Sequence, residues 1–202
     1  MRLAVLALLP TLLAAQGAPI RLHDGKTLEG WEGDTAVWRS EGGAIVGGRL
    51  DRAQPRNDFL VTRRSFGDFE LTFQVRLRGE GFVNSGVQFR SERVPGSHEM
   101  SGYQADIGPG WWGKLYDESR RNRVLAEPPK PIAKVKEGDW NTYRIVAEGG
   151  RVRAWVNGEP GFDFTETEPG IAQKGRIGLQ IHGGGKSMVE FKDLVVTEKA
   201  TK

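Results

Sequence analysis

The sequence predicts an all-β protein, a two-sheet antiparallel jelly-roll sandwich, and three observations carry that prediction. Several segments alternate apolar and polar residues with a period of two, the mark of a half-buried strand. Turn-forming residues are abundant, with 28 Gly and 10 Pro in 202 residues and no Gly-X-Y repeat that would mean collagen. No window holds a 3.6-residue period, so under roughly a tenth of the chain is expected in helix.

The N-terminus reads as a targeting segment rather than as fold. Met1–Arg2 give a charged start, Leu3–Leu13 an apolar run interrupted by Pro10, and Ala14, Ala15, Gly17 and Ala18 a small-residue stretch. That is the pattern of a secretory signal peptide over residues 1–17, with cleavage after Ala15 or Gly17; the alternative is an uncleaved N-terminal anchor. On the first reading the protein is exported to the periplasm or beyond the cell, and keeps no membrane span after cleavage. Residues 18–202 then form one β-sandwich domain, long enough to bury a stable core.

Phe69–Leu77 is the clearest strand, apolar at every odd position and polar at every even one. Val83–Arg90, Tyr143–Ala147, Val152–Asn157, Arg176–His182 and Met188–Val196 repeat the theme at shorter length. Between them lie Gly79-Glu80-Gly81, Glu148-Gly149-Gly150, Asn157-Gly158 and His182-Gly183-Gly184-Gly185, all turn chemistry. Tyr143–Ala147 and Arg151–Val156, joined through Glu148-Gly149-Gly150, make a hairpin.

Composition narrows the chemistry. Cysteine is absent, which excludes disulfides, thiolate catalysis, Cys-ligated zinc and iron–sulfur clusters. The formal charge of +3 comes from 29 basic and 26 acidic residues with no long block of one sign, which argues against a nucleic-acid partner. The chain also lacks Gly-x-Ser-x-Gly, phosphate-binding and dinucleotide fingerprints, and His-x-His or His-Glu-x-x-His metal motifs.

Alternation also sorts side chains by face. Opposite the apolar rows stand Gly86, Gln88 and Arg90, then Gln104 and Asp106, then Gly178, Gln180 and His182. Amides, Arg and acids in such a set suit a groove that meets sugar hydroxyls with directed hydrogen bonds, with glycine letting a ligand approach the backbone. The alternative is the plain solvent face of a sandwich. Trp111 and Trp112, adjacent in a Gly/Pro loop, either rim that groove as stacking platforms or fold back as a lid on the core. Asp117, Glu118, Arg120 and Arg121 form a candidate local ion-pair network.

The chain resembles the 3-keto-disaccharide hydrolase domain family of secreted bacterial proteins, over roughly residues 20–197. The resemblance rests on Leu22–Trp31, Trp38 with Gly42–Ile45, Asn84–Arg90, Gly102–Ile107, Gly113–Glu118, Gly138–Asn141, Trp155–Gly158 and Gly178–His182, in that order and spacing. Where many relatives carry Glu, an apolar residue and Gln, this chain has Gln104-Ala105-Asp106. The resemblance implies a concanavalin A/laminin-G-like jelly roll acting on glycosides already oxidised at C3. A C3 ketone acidifies the C2 hydrogen, so a base can form an enolate whose collapse expels the C1 group. Water then releases a 3-keto sugar. Laid over the groove, that chemistry makes His182 the base and leaves Arg90 or Lys114 to hold the enolate oxygen. Asp106, Tyr116 or Glu118 remains as acid or as ligand to a divalent metal. Gln88, Gln104, Trp111, Trp112 and Gln180 complete the substrate-binding set. The rival readings are a non-catalytic carbohydrate-binding laminin-G-like lectin and a surface adhesion module.

Overall fold

A strand with one apolar row needs a second sheet to cover it, and two facing sheets are the simplest closed solution. The computed structural model describes residues 17–200, which hold fifteen strands and no helix. Apart from Gly17, the expected signal peptide lies outside the described residues. Among the described residues no helix is long and apolar enough to cross a membrane.

The strands begin with β1 (Ile20–Arg21), β2 (Trp31–Glu32), β3 (Trp38–Glu41), β4 (Ala44–Gly48) and β5 (Asp58–Phe66). Then come β6 (Phe69–Gly81), β7 (Ser85–Arg93), β8 (Met100–Ile107), β9 (Leu115–Glu118) and β10 (Arg123–Ala126). The last are β11 (Asn141–Glu148), β12 (Arg151–Val156), β13 (Glu159–Thr165), β14 (Gly175–Ile181) and β15 (Gly185–Glu198). One sheet runs β13-β12-β11-β6-β15-β4-β3, with β1 beside β15, and the other runs β10-β9-β8-β7-β14-β5-β2. All the pairings are antiparallel. The chain passes repeatedly between the sheets, through tight connections at β5–β6, β6–β7 and β14–β15, as a jelly roll does.

The expected alternation is what fills the core. Phe69, Leu71, Phe73, Val75 and Leu77 of β6 point inward and share one cluster with Val87, Phe89, Tyr103, Ala105, Ile107, Ile177, Leu179 and Ile181 from the other sheet. Phe69 meets Phe89 edge-on at 6.3 Å, and Phe89 stacks on Phe162 at 6.2 Å, so aromatic rings bridge the sheets. The expected hairpin forms, with Glu148 opposite Arg151 across Gly149-Gly150 and Gly149 at φ +51°. Strand β6 runs on to Gly81, past the expected end at Leu77, because β15 pairs with it along most of its length.

Arg90 corrects the alternation. A β-bulge shifts the β7–β8 register between Phe89 and Glu92, and Arg90 itself sits at φ +48°. The extra residue turns the Arg90 side chain off the polar face. Its guanidinium is fully buried and donates to Gly67 O (3.1 Å), Gly149 O (2.7 Å), Gln173 Oε1 (2.5 Å) and Asp68 Oδ1 (2.7 Å). Arg90 therefore ties three loops together and contributes to structure, not to the groove. Removing one partner of a buried ion pair strands the other, at a cost of about 3–5 kcal/mol. Arg90→Ala should lower the urea midpoint accordingly, and a midpoint equal to that of the parent would refute this role.

Candidate functional site

The polar face expected on the second sheet exists, and it is buried. Register places Gln104 of β8 opposite Gln88 on one side and Tyr116 on the other, and places Asp106 opposite Gly86, which in turn faces Gln180. Gln88, Gln104, Asp106 and Gln180 are all at most 3% exposed. The two glycines do not open the backbone to a ligand, as expected from sequence. A Cβ on Gly86 would stand 2.6 Å from Cγ and Cδ of Gln104, and one on Gly178 would stand 2.3 Å from Sδ of Met100. Each glycine makes room for a neighbouring protein side chain instead.

Above this floor lies a cleft of about 150 Å³. Gln104, Asp106, Tyr116 and Glu118 line it from β8 and β9, and Trp111 from the loop between them. Phe82, Asn84 and His182 come from two tight connections, β6–β7 and β14–β15, at which the chain changes sheets, with Asn57 beside them. These turns are held in register: Gly185 pairs with Gly81, the His182 N–H donates to Asn84 O (3.2 Å), and the Gly183 N–H donates to Asn57 Oδ1 (3.1 Å). His182 Nδ1 lies 2.7 Å from Gly183 O. A carbonyl only accepts, so in the neutral ring Nδ1 carries the proton and Nε2 keeps its lone pair. The Phe82 ring meets the imidazole edge-on at 4.6 Å, and Phe82 is 46% exposed at the cleft mouth.

Burial dominates the electrostatics. It pushes the Asp106 carboxyl up to about 8, and the nearby Glu118 charge adds to the rise while the Gln104 N–H and Lys114 oppose it. Glu118 is pushed up to about 7, first by burial and then by Glu99, against bonds from Gln180 and the Ser119 N–H. Tyr116 is raised as well, by burial and then by Glu118. Gln104 Nε2 donates to Asp106 Oδ1 at 2.8 Å, while Asp106 Oδ2 is buried and has no protein partner. Asp106 thus keeps its proton at neutral pH with one oxygen free to use it, while Glu118 exchanges its proton around that pH.

Of the residues expected at the site, six line the cleft: Gln104, Asp106, Trp111, Tyr116, Glu118 and His182. Gln88 and Gln180 lie in the floor beneath. Lys114 pairs with Glu127 (3.0 Å) and packs over the Trp111 ring (5.4 Å), so it braces a wall rather than lining the cleft. Trp112 belongs to the hydrophobic core, because neighbouring residues of the tight loop point opposite ways. The expected ion cluster divides in the same manner. Asp117 points inward and pairs with Arg120 (2.8 Å) and Arg121, whereas Glu118 points out to the cleft. Asn57, Phe82 and Asn84 were not expected; all three sit outside the strands, where alternation says nothing.

Among the described residues no group of three or more His, Asp or Glu side chains is placed to hold a metal ion. Asp106 and Glu118, considered as ligands to a divalent metal, are therefore not part of such a group.

A family model for the 3-keto-alpha-glucoside-1,2-lyase-like domain matches residues 18–197. The chain belongs to that family. Solved structures share its fold at low identity. A candidate glycosyl hydrolase from Parabacteroides distasonis is 20% identical over 89% of this chain and 93% of its own, with a TM-score of 0.67. The carbohydrate-binding module CBM66 from Bacillus subtilis is 16% identical over 82% and 93%, with a TM-score of 0.59. A Bacillus subtilis protein of unknown function with a galectin-like fold is 12% identical over 94% and 100%, with a TM-score of 0.69. No curated protein matches the chain. The family is thus placed on the two-sheet antiparallel jelly roll expected from the sequence.

The raised Asp106 carboxyl has a consequence for stability. A carboxyl that binds its proton more tightly when folded stabilises the fold while protonated, and that contribution is lost as pH climbs through about 8. From the ordinary carboxylate range up to that point, each pH unit removes about 1.4 kcal/mol. Asp106→Asn, which stays neutral, should unfold with a visibly flatter pH dependence between pH 5 and 8. Parallel stability–pH curves for variant and parent would rule the assignment out.

Proposed function

We propose that the protein is an exported carbohydrate-active enzyme that cleaves 3-keto-glycosides by elimination, followed by hydration. The observation that carries the reading is the composition of the cleft. One imidazole, the buried Asp106 carboxyl and the half-buried Glu118 carboxyl, both raised above the usual carboxylate range, surround a space of single-sugar size, and no Lys or Arg lines it among the described residues.

His182 Nε2 removes the C2 hydrogen, and the C–H pair forms the C2=C3 bond of an enolate with its charge on O3. Asp106, protonated on Oδ2, donates a hydrogen bond to that oxygen, the part a buried neutral carboxylic acid can play where no cation is present. As the C3 carbonyl re-forms, the electrons move to C1=C2 and the C1–O bond breaks. Glu118 protonates the departing oxygen. Water then adds at C1 with Glu118 taking its proton, while His182 returns a proton to C2, so a 3-keto sugar leaves and the protein is restored. Stopping before hydration would make the same site a lyase. Phe82 and Trp111 supply apolar faces for the sugar C–H groups, and Asn57 and Asn84 supply amides for its hydroxyls.

Incubation with 3-keto-lactose or 3-keto-trehalose in heavy water tests the reading. The 3-keto sugars should be cleaved and the unoxidised parents left intact, with deuterium at C2 of the product. His182→Ala should reduce the rate on the order of 10²–10⁴. Cleavage of the unoxidised sugar, or product without deuterium at C2, would point to direct attack at C1. Ligand quenching of Trp fluorescence without release of a monosaccharide would make the protein a lectin. Phe82→Ala should raise KM several-fold with kcat nearly kept, since a stacking wall binds ground state and transition state alike; an equal loss in kcat would count against a purely binding role.

A further inference from the structure

We propose that Ser91, Gln88 and Gln104 form a hydrogen-bonded positioning chain that reserves one oxygen of Asp106, Oδ2, for donating a hydrogen bond to the ligand. The proposal rests on reading Asp106 as the acid at the cleft, and adds the residues that aim it.

The chain is continuous across two strands. Ser91 Oγ donates to Gln88 Oε1 (2.8 Å), Gln88 Nε2 to Gln104 Oε1 (2.9 Å), and Gln104 Nε2 to Asp106 Oδ1 (2.8 Å). None of the four side chains is more than 3% exposed. A side-chain amide has one donating end and one accepting end, so each link dictates the next. With the Ser91 proton on Gln88, Gln88 must offer N–H to Gln104, and Gln104 must offer N–H to Asp106. Oδ1 can then only accept. The carboxyl proton sits on Oδ2, which meets no protein partner and belongs to a side chain lining the cleft.

A reversed chain would also satisfy its members, and that is what has to be prevented. Ser91 Oγ lies 3.0 Å from Phe89 O and 3.3 Å from Tyr103 O, two acceptors that compete for its single proton. Given to either, the proton would leave Ser91 to accept from Gln88, and both amides would turn end for end. Gln104 Oε1 would then face Asp106, Oδ1 would have to carry the proton, and the acid would point into the floor. Gln88 lines no part of the cleft, so its polar end serves Asp106 only through Gln104. Gly86 supports the arrangement by leaving the space that the Gln104 side chain occupies.

The test is a titration of the Asp106 carboxyl by carbon-13 NMR, on the full chain without sugar. The Gln104 N–H favours the ionised carboxylate, so loosening it should move the Asp106 titration upward. The expected rise is about one pH unit in Gln88→Met and a smaller but resolved one in Ser91→Ala. On a 3-keto-glycoside, kcat should fall roughly tenfold in Gln88→Met with KM unchanged, and the high-pH limb of kcat should move with the titration. An Asp106 titration that stays put in folded Ser91→Ala overturns the proposal, and this variant decides the matter if Gln88→Met does not fold. A shifted titration in a protein that turns over no 3-keto sugar keeps the positioning chain and rejects the enzymatic reading beneath it.

Discussion

Polar side chains sealed between a sheet and its covering loop have no water to bond, so they must bond one another. That constraint organises the functional side of this molecule. On the outer face of the second sheet, Gln88, Gln104, Asp106 and Gln180 are buried as thoroughly as the aromatic core on the inner face. Each unmet donor or acceptor there would cost about 1–3 kcal/mol. Gln88 and Gln104 are therefore drawn into one ordered row, Gln180 turns its amide N–H toward Glu118, and both acids beside them are raised because ionising them in that setting is costly. Strain on the carboxylates and order among the amides have the same origin.

What could be read from the sequence is what period two controls. The inward rows of β6, β7, β8 and β14 were legible because alternation is a property of backbone geometry, and it placed Gln104 and Asp106 together on the outer face. The rule failed where the backbone departs from it. Arg90 sits on a bulge, and nothing in Gln88-Phe89-Arg90-Ser91 marks the extra residue. Asp117 and Glu118 were grouped by charge, although alternation along Leu115–Glu118 already separates the inward Asp from the outward Glu. Phe82, Asn84 and Asn57 belong to turns, whose partners depend on the sheet-to-sheet crossings and not on local pattern. One signal was available for Phe82: an aromatic placed straight after Gly79-Glu80-Gly81 has no strand to bury it.

On the proposed reaction the cleft manages negative charge with no Lys or Arg in its lining among the described residues. Lys114 and Arg90, the basic residues expected there, are both committed elsewhere, one to Glu127 and Trp111, the other to Asp68 and three loop acceptors. A fixed cation would hold an anion in the ground state as firmly as in the reaction. A neutral acid in a poorly solvated setting responds instead to charge as it develops.

The division of labour between strands and turns bears on how such a protein can diversify. Asp106, Glu118 and the amide row are mounted on paired strands, where a change of residue disturbs several neighbours at once. Phe82, Asn57 and Trp111 stand on connecting segments, whose replacement leaves the ladders whole. Walls can therefore be exchanged while the acids and the amide row stay fixed, so, on the proposed reaction, the lineage is free to alter which glycoside enters without having to reinvent how the bond is broken.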